Sequence, residues 1–193
     1  RAYLQDFMKK WIKQNPKENG ETYNLYRDGL KIYTTIDSEL QKIGEHSVSS
    51  HMRNLQKEFF RQNTKQSNET APFLDLRTGQ IDTLLERTAY RSERWRNKTN
   101  AGWSKDKILK NFNEPASMTV FSWKGEIDTI MTPLDSIKYY KYFLRSSMMS
   151  IEPQTGHVKV WVGGYNYKHF QYDQVKQGKR QIGSTFKPFL YAT

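Results

Sequence analysis

The strand-forming segments of this chain come in adjacent pairs joined by short turns, and they do not alternate with helices. Residues 117–131 read as two short strands around Lys124-Gly125, and residues 147–163 as two more around the sequence "PQTG". Short turns of this kind join antiparallel strands, because parallel strands need a crossover of about a dozen residues or more. We therefore predict an α+β fold in which β-hairpins accompany several helices.

Helical periodicity accounts for much of the remaining sequence. A four-residue apolar repeat predicts an amphipathic first helix, and Ser38 with Gln41 forms a capping box for a second. Ser104 is placed to cap a further helix, and Thr132 with Pro133 to start the last long one. The predicted helices cover residues 1–14, 38–60 and 81–98, together with the segments that begin at Ser104 and Thr132.

Three further features lie between or within these helices. A β-rich run over residues 30–36 follows a turn at Asp28-Gly29. Residues 61–72 predict a polar loop. Gly44 lies inside the second predicted helix and is expected to weaken it without ending it.

The chain is strongly basic, which bears on the partners it can attract. Its 31 lysines and arginines exceed its 20 acidic residues, giving a formal net charge of +11. Such a balance attracts nucleic acid, acidic lipid headgroups or an anionic wall polymer, but the charge is spread along the chain and forms no arginine-rich arm. One basic cluster could grip phosphates, although a solvated helix face is the preferred interpretation. It comprises Arg87, Arg91, Arg94, Arg96 and Lys98, with Tyr90 and Trp95 among them.

The residues present exclude or disfavour several classes of site. The chain has no cysteine, which excludes disulfides, thiol catalysis and thiolate zinc sites. His46 and His51 are five residues apart and do not share a helix face as zinc ligands four apart do, so we interpret both as ordinary helix histidines. No run approaches the ~18 apolar residues of a membrane-spanning helix.

The sequence "GKRQIGSTFKPFLYAT" at residues 178–193 carries a candidate nucleophile. Gly183 lets the chain bend into a helix, so that Ser184 lies near the helix N-terminus, where unpaired N–H groups and the positive dipole end favour a developing anion. Lys187 follows three residues later on the same face, and its amine, if neutral, could accept the serine proton. Read alone, the S-x-x-K pattern is weak, and a capped helix with a solvated lysine is the simpler interpretation.

The longer segment resembles the nucleophile region of class A penicillin-binding proteins, in which a peptidoglycan glycosyltransferase module precedes a penicillin-sensitive transpeptidase. The family pattern R-x-P-G-S-x-x-K-P-F is matched at Arg180, Gly183, Ser184, Lys187, Pro188 and Phe189. Ile182 stands where the family usually has proline. The hairpin "MMSIEPQTGHVKVWVGG" is similar to the opening strands of the transpeptidase domain, and "DGLKIYTTIDSELQKIGEHSV" to the junction between the two modules. The three segments occur in the family's order.

The resemblance implies roles for the candidate residues. Ser184 would attack the penultimate D-alanyl carbonyl of a stem peptide and form an acyl-enzyme, with Lys187 as the base for acylation. The backbone N–H of Ser184, in the turn that Gly183 supports, would provide one oxyanion donor. An amine from a neighbouring peptidoglycan strand would convert the ester into a crosslink, and β-lactams would acylate the same serine. No metal or organic cofactor is implied.

The resemblance also predicts how the chain is divided. Residues 1–30 would follow a glycosyltransferase module, residues 31–145 would form a linker or accessory region, and residues 146–193 would begin a transpeptidase domain. Both ends of the chain resemble cuts in a longer protein, and the family's later S-x-N and K-[ST]-G motifs would lie beyond it. The chain alone is therefore expected to be inactive, to leave its S-x-x-K helix exposed or packed against another molecule, and to self-associate through unpaired strand edges. An anchor outside this segment would hold the complete protein on the periplasmic face of the cytoplasmic membrane, in the cell envelope.

Two other functions remain open from the sequence. Residues 60–144 match no motif and could dock a regulator of cell-wall synthesis, which would make the chain an interaction module. A basic nucleic-acid-binding domain would show salt-dependent affinity for DNA or RNA, but it leaves the ordered match to three family segments unexplained. The expected partners are therefore peptidoglycan stem peptides, the lipid-linked precursor and β-lactams, and not nucleic acid.

Overall fold

The computed structural model describes residues 2–64 and 68–192. These residues contain two antiparallel hairpins and eight α-helices. The predicted α+β class is confirmed, because both described sheets are two-stranded and antiparallel. Arg1, residues 65–67 and Thr193 belong to the first predicted helix, the predicted polar loop and the candidate nucleophile segment, and they lie outside the described residues. The helices are α1 (Ala2–Gln14), α2 (Ser38–Gln62), α3 (Thr78–Tyr90), α4 (Glu93–Asn100), α5 (Lys105–Phe112), α6 (Pro133–Lys141), α7 (Gln174–Gln177) and α8 (Lys187–Tyr191). The strands are β1 (Ala116–Ser122), β2 (Gly125–Met131), β3 (Met148–Ile151) and β4 (Val158–Val162).

Residues 1–35 form a compact unit of their own around helix α1. Met8 is only 6% exposed, and the ring centroids of Trp11 and Tyr23 lie 5.9 Å apart. The predicted amphipathic helix is therefore confirmed, and its apolar side packs within this unit.

The β-rich run over residues 30–36 forms no strand, so that prediction is wrong. Its secondary structure is irregular, and neither of the described sheets includes it. Strand propensity reports how well a side chain fits a pleated, half-buried surface, and a strand also needs the main-chain groups of a neighbouring strand. Local composition therefore misidentified this segment.

Helix α2 is capped by Asp37 and not by the predicted pair Ser38 and Gln41. The Asp37 Oδ1 atom accepts hydrogen bonds from the N–H groups of Leu40 at 3.0 Å and Glu39 at 2.9 Å. These bonds, with that from Leu40 contributing most, hold the pKa of Asp37 below its ordinary value. Because Asp37 satisfies the first N–H groups of the helix, the side chain of Gln41 is available for a contact elsewhere.

Helix α2 packs against the hairpin β3–β4, and the candidate site is attached to this core. Val48 and Met52 of the helix form one buried cluster with Val160 and Val162 of β4. Gly44 lets the helix approach the strand, because a Cβ atom at this position would lie 2.7 Å from Cγ1 of Val160. The glycine that the sequence marks as a weak point of the helix is thus required by its packing.

The helix predicted over residues 81–98 consists of two helices, α3 and α4, so the prediction of one continuous helix is wrong. Ser92 separates them, since its Oγ atom donates to the carbonyl of Ala89 at 2.6 Å and accepts from the N–H of Trp95 at 3.2 Å. One hydroxyl therefore ends the first helix and caps the second. The buried cluster that the break creates consists of Ala89, Trp95, Ile108 and Phe112.

Two helix starts and both hairpins agree with the predictions. Ser104 caps α5 and Thr132 caps α6, each by accepting a hydrogen bond from a first-turn N–H group. The hairpin β1–β2 turns one residue earlier than predicted, at Trp123-Lys124, and Gly125 opens the second strand with a φ of +123°. The hairpin β3–β4 turns within the predicted "PQTG".

The histidines of helix α2 behave as predicted, since His46 and His51 are both exposed. In the part of the chain that the structure describes, no group of three or more His, Asp or Glu side chains could hold a metal ion. None of the helices within that part is both long and apolar enough to cross a membrane.

Candidate active site

The candidate nucleophile lies at the beginning of a short helical segment. Residues Gly183–Phe186 form a 3₁₀ turn that continues directly into α8, and Ser184 is the second residue of this turn. Gly183 has a φ of +52°, and nothing lies within 4 Å of the position that a Cβ atom would take. Glycine is therefore favoured by backbone conformation and not by crowding, and the predicted bend is confirmed.

Hydrogen bonds to main-chain carbonyls hold the turn, but they do not involve the hydroxyl or the N–H of Ser184. The N–H of Lys187 donates to the carbonyl of Ser184, while the N–H and the hydroxyl of Thr185 both donate to the carbonyl of Ile182, at 3.2 Å and 2.6 Å. Within the described residues, neither the hydroxyl nor the N–H of Ser184 has a hydrogen-bond partner, and no hydrogen bond joins that hydroxyl to the Lys187 amine. The i, i+3 spacing is present, but the serine is not coupled to the lysine in this arrangement.

The whole segment is exposed. Every residue from Lys176 to Ala192 has an exposed side chain or backbone, and the exposed fractions of Ile182, Phe189 and Tyr191 are 60%, 67% and 81%. Burying one large apolar side chain contributes roughly 1.5–3 kcal/mol, so these residues would be stabilised by any surface that covered them. The predicted exposure of the S-x-x-K helix is confirmed.

The chain between β4 and the candidate nucleophile is anchored at Asp173. Its Oδ2 atom accepts a hydrogen bond of 3.0 Å from Nε1 of Trp161, and its Oδ1 atom caps α7 by accepting from the N–H of Val175 at 3.0 Å. The N–H of Gln174 donates to the carbonyl of Gly163 at 2.9 Å, and a Cβ atom at Gly163 would lie 2.7 Å from Asp173 Oδ1. The intervening loop is therefore closed at its base, and the nucleophile segment starts from a fixed point.

Strand β4 is fixed laterally by the first turn of helix α2. The Gln41 amide accepts a hydrogen bond from the N–H of Trp161 at 2.8 Å and donates to the carbonyl of the same residue at 3.1 Å, as a neighbouring strand would. The N–H of Asp37 donates to the carbonyl of Lys159 at 3.0 Å. Sequence reasoning missed this role of Gln41 because its partner is 120 residues away and local spacing carries no signal for it.

An aromatic cluster holds the loop after β4. Phe121 of β1, Phe143 and Phe170 are each 7% exposed or less, and the rings of Phe121 and Phe170 meet edge to face with centroids 5.1 Å apart. The guanidinium of Arg145 lies 3.7 Å from the centroid of the Phe170 ring. Aromatic pairs of this kind contribute about 0.5–1.5 kcal/mol beyond their burial. The region before residue 145 therefore supports the loop that leads to the candidate site.

A fully buried glutamine makes a second connection to that region. Gln56 of helix α2 is 0% exposed, and its Nε2 atom donates to the carbonyl of Tyr142 at 2.8 Å. Its Oε1 atom accepts from the N–H of Leu144 at 2.9 Å. Because this buried amide satisfies two main-chain groups, it fixes the position of the segment that follows α6. Nothing in the sequence distinguishes Gln56 from the other glutamines of the helix.

His169 makes a third connection between the loop after β4 and the region before residue 145. The hydroxyl of Tyr140 accepts a hydrogen bond from the N–H of Phe121 at 3.1 Å and lies 3.1 Å from Nδ1 of His169. The Nε2 atom of His169 donates to Glu126 Oε1 at 2.7 Å, because a carboxylate oxygen can only accept. Hydrogen bonds from Lys168 and then from His169 hold the pKa of Glu126 below its ordinary value.

The predicted basic cluster does not form one helix face. Arg94 is hydrogen-bonded to helix α5, and the Lys98 Nζ atom lies 4.0 Å from the centroid of the Trp103 ring. Arg87 and Arg91 line an open groove along α3, together with Lys141 of α6. The cluster is thus divided among different surroundings, which the sequence interpretation as a solvated helix face did not anticipate.

Comparison with known proteins relates the chain to one family. Residues 68–144 match the penicillin-binding protein middle domain, in the region where the sequence offered no motif. A penicillin-binding protein 1A from Aquifex aeolicus (strain VF5) is 29% identical over 178 residues, which cover 86% of this chain and 23% of the relative. A penicillin-binding protein 1A from Neisseria flavescens is 24% identical and is matched over 88% of this chain and 24% of its own length.

Shorter matches are closer in sequence. The penicillin-binding protein 1A of Escherichia coli (strain K12) is 42% identical over 48 residues, which are 25% of this chain and 6% of the relative. No solved structure matches the chain. The chain spans about a quarter of the length of the curated relatives that it matches over most of its own extent, with 23% and 24% covered in the two cases above.

Proposed function

Because the chain belongs to the class A penicillin-binding proteins, we propose that it is part of a peptidoglycan synthase whose transpeptidase acts through Ser184. The observation that carries the proposal is the exposed turn in which Ser184 follows a left-handed Gly183 and precedes Lys187 by three residues. In this proposal residues 146–193 begin the transpeptidase domain, and the preceding residues support it.

The proposed reaction is acyl transfer between stem peptides. Ser184 Oγ attacks the penultimate D-alanyl carbonyl, and its proton passes to the neutral amine of Lys187. Collapse of the tetrahedral intermediate breaks the peptide bond, and the departing D-alanine amine takes a proton. An amine of a second stem peptide then attacks the serine ester, forms the crosslink and restores the hydroxyl.

The backbone N–H of Ser184 is the proposed first oxyanion donor. It is unoccupied within the described residues and lies at the start of the helical turn, where main-chain N–H groups lack intrahelical acceptors. Removal of one oxyanion donor costs about 10²–10³ in rate in serine enzymes, so a second donor is required for full activity. We propose that the second donor comes from a part of the complete protein outside these residues.

The wider role follows from the same family membership. We propose that the complete protein works in the cell envelope, on the periplasmic face of the cytoplasmic membrane. A glycosyltransferase module would polymerise the lipid-linked precursor, and the transpeptidase would crosslink the product. β-Lactams would acylate Ser184 because they resemble the D-Ala-D-Ala end of the stem peptide.

Covalent labelling by a fluorescent penicillin tests the nucleophile. The complete protein should be labelled, and Ser184→Ala should reduce labelling to background. Thr185→Ala, which removes the neighbouring hydroxyl, is the matched control and should retain labelling. Lys187→Arg keeps the charge but cannot act as a neutral base, and it should slow acylation by about 10²–10⁴. Mass spectrometry should find the adduct on the tryptic peptide that begins at Gln181.

Two results would contradict the proposal. A folded complete protein that remains unlabelled would rule out penicillin-sensitive transpeptidation. Labelling that persists in the Ser184→Ala variant would assign the nucleophile to another residue.

A further inference from the structure

An open groove runs along one side of helix α3, and none of its lining residues belongs to the candidate nucleophile segment. Its volume is about 550 Å³. Eight positions from Leu76 to Arg91 line one wall and Lys141 of α6 lies opposite. At about 1.5 Å per residue, the span from Gly79 to Arg91 is roughly 18 Å, long enough for five or six residues of an extended peptide.

Three cations converge on this groove without a counter-ion. They are Arg87 in the last turn of α3, Arg91 at the C-cap of the same helix, and Lys141 of α6. Within the described residues none of the three side chains makes an ion pair or a hydrogen bond, and no carboxylate lines the groove. Partial burial, and then the nearby charge of Arg145, lowers the pKa of Lys141.

The groove is charged at one end only. Its first five lining positions, from Leu76 to Leu84, carry no charge, whereas Arg87 and Arg91 lie at the end of α3. The two hydroxyls that line the groove are already bound to their own helix, because Thr83 donates to the carbonyl of Gly79 and Thr88 to that of Leu84, each at 2.8 Å. The groove therefore offers an apolar surface followed by three free cationic donors.

We propose that this groove binds an acidic peptide segment of a partner protein, with an aliphatic side chain beside Leu76 and Leu84 and carboxylates on Arg87, Arg91 and Lys141. Arginine and lysine form their strongest hydrogen bonds with carboxylates, and the apolar end gives such a segment a direction. A phosphodiester polymer would have no group for the apolar end, and none of the residues that line the groove is aromatic, as a base-stacking surface would be. The inference does not depend on the proposed acyl transfer.

Gly79 provides a way to close the groove without disturbing the core. It lines the groove in the first turn of α3, and nothing lies within 4 Å of the position that its Cβ atom would take. A phenylalanine at this position would therefore meet no atom of the core, and its ring would occupy the volume that a peptide needs. This steric test is independent of charge.

The experiment selects a display library of random twelve-residue peptides on this chain and measures the enriched peptides by fluorescence anisotropy. Enriched sequences should combine two or more Asp or Glu residues with a neighbouring aliphatic residue. The single variants Arg87→Glu and Arg91→Glu and the variant Gly79→Phe should each weaken binding severalfold. Arg96→Glu is the matched charge control, since Arg96 is exposed on α4 outside the groove, and it should bind like the unchanged chain.

Three results would overturn the proposal. Enriched peptides without acidic residues would show that the groove does not select carboxylates. Equal weakening by Arg96→Glu would reduce the effect to net charge. Tighter binding of polyphosphate or single-stranded DNA than of the peptides, abolished by the same groove variants, would assign the site to an anionic polymer. Circular dichroism of each variant keeps a loss of binding distinct from a loss of folding.

Discussion

A Cβ atom on Gly44 would lie 2.7 Å from Cγ1 of Val160, so helix α2 approaches strand β4 at a distance that only glycine permits. Val160 is 3% exposed, and a β-branched side chain has little rotameric freedom to move aside. We expect Gly44→Ala to lower the free energy of unfolding by about 1 kcal/mol, because overpacking of about 1–3 kcal/mol exceeds the 0.5–1 kcal/mol that alanine gains in a helix. Urea denaturation of both chains measures the difference.

Gly79→Ala is the matched control for this prediction. Gly79 is also helical, but its added Cβ atom would meet no atom within 4 Å. The substitution should leave stability unchanged or raise it by about 0.5 kcal/mol. If Gly44→Ala stabilised the chain to the same extent, the close approach of helix and strand would not exist in solution.

The sequence predicted those parts of the fold that local chemistry determines. The hairpin at residues 148–162 and the helix starts at Ser104 and Thr132 depend on turn and cap residues a few positions apart, and all were found. The run at residues 30–36 was predicted as a strand because its composition suits one, although a strand also requires a partner. Ser92 was missed as a helix boundary because the apolar repeat continues across it.

The contacts that support the candidate site could not be predicted from the sequence, because they too depend on residues far apart in the chain. Gln41 bonds to Trp161, and Gln56 to the main chain at Tyr142 and Leu144, across separations of 120, 86 and 88 residues. Spacing along the chain carries no trace of such contacts. The Gly183 bend, in contrast, is local and was predicted.

Asp37 and Ser38 offer a direct test of which residue caps helix α2. Asp37 accepts two main-chain hydrogen bonds, whereas the Ser38 side chain makes none among the described residues. Asp37→Ala should lower the thermal midpoint at pH 7, and Ser38→Ala should leave it unchanged. The reverse order would restore the predicted capping box.

The same aspartate predicts a change of stability with pH. Its folded-state pKa lies below the ordinary 3.8, so its contribution is fully present above about pH 4–5 and is lost as the pH falls through the folded-state value. Asp37→Asn keeps an acceptor oxygen and removes the titration. The thermal midpoint of this variant should therefore fall less between pH 5 and pH 2 than that of the unchanged chain. An equal fall of the thermal midpoint in both chains would show that Asp37 does not contribute to the loss of stability at acidic pH.

Gln56 is expected to be the most sensitive polar residue of the fold. Gln56→Ala removes the partners of two buried main-chain groups and leaves a cavity, and it should cost about 2–4 kcal/mol of unfolding free energy. Gln56→Glu keeps the shape, but as a carboxylate it cannot donate to the carbonyl of Tyr142. This variant should be less destabilised near pH 4 than at pH 7, because protonation restores the donor.

Gln171→Glu is the control for the charge that Gln56→Glu introduces. Gln171 is exposed, so its substitution should change stability by no more than about 0.5 kcal/mol at either pH. A Gln56→Glu variant with the same small effect would contradict the buried position of Gln56.

Tyr165 carries a buried hydroxyl that has no hydrogen-bond partner among the described residues. Tyr165→Phe should therefore leave stability unchanged or raise it by up to about 1 kcal/mol, since it removes an unsatisfied polar group. Tyr140→Phe is the matched comparison and should be destabilising, because it removes the partner of the Phe121 N–H and of His169.

The raised pKa of Tyr165 also predicts how the stability changes at alkaline pH. Burial raises the pKa to about 12, so the folded chain keeps the phenol neutral above pH 10, where the unfolded chain ionises it. Stability that is fully present below pH 10 should therefore fall as the pH rises from 10 toward 12, and it should fall less in Tyr165→Phe. Thermal unfolding followed at pH 9, 10 and 11 measures both slopes.

Gly183 links the backbone of the candidate site to its proposed chemistry. Its φ of +52° costs an ordinary residue roughly 1–2 kcal/mol, Asn less than Ala, and the β-branched Val most. In the complete protein, the rate of acylation by a fluorescent penicillin should therefore decrease in the order Gly, Asn, Ala, Val at position 183, with Ala about 5–30-fold slower than Gly. Because nothing packs against the exposed turn, it can unwind locally in this chain without unfolding the core, so the same substitutions should change the free energy of global unfolding by no more than about 0.5 kcal/mol. Equal acylation rates across the series would mean that the turn adopts another conformation when the serine reacts, and the geometry of Ser184 described above would then not be the reactive one.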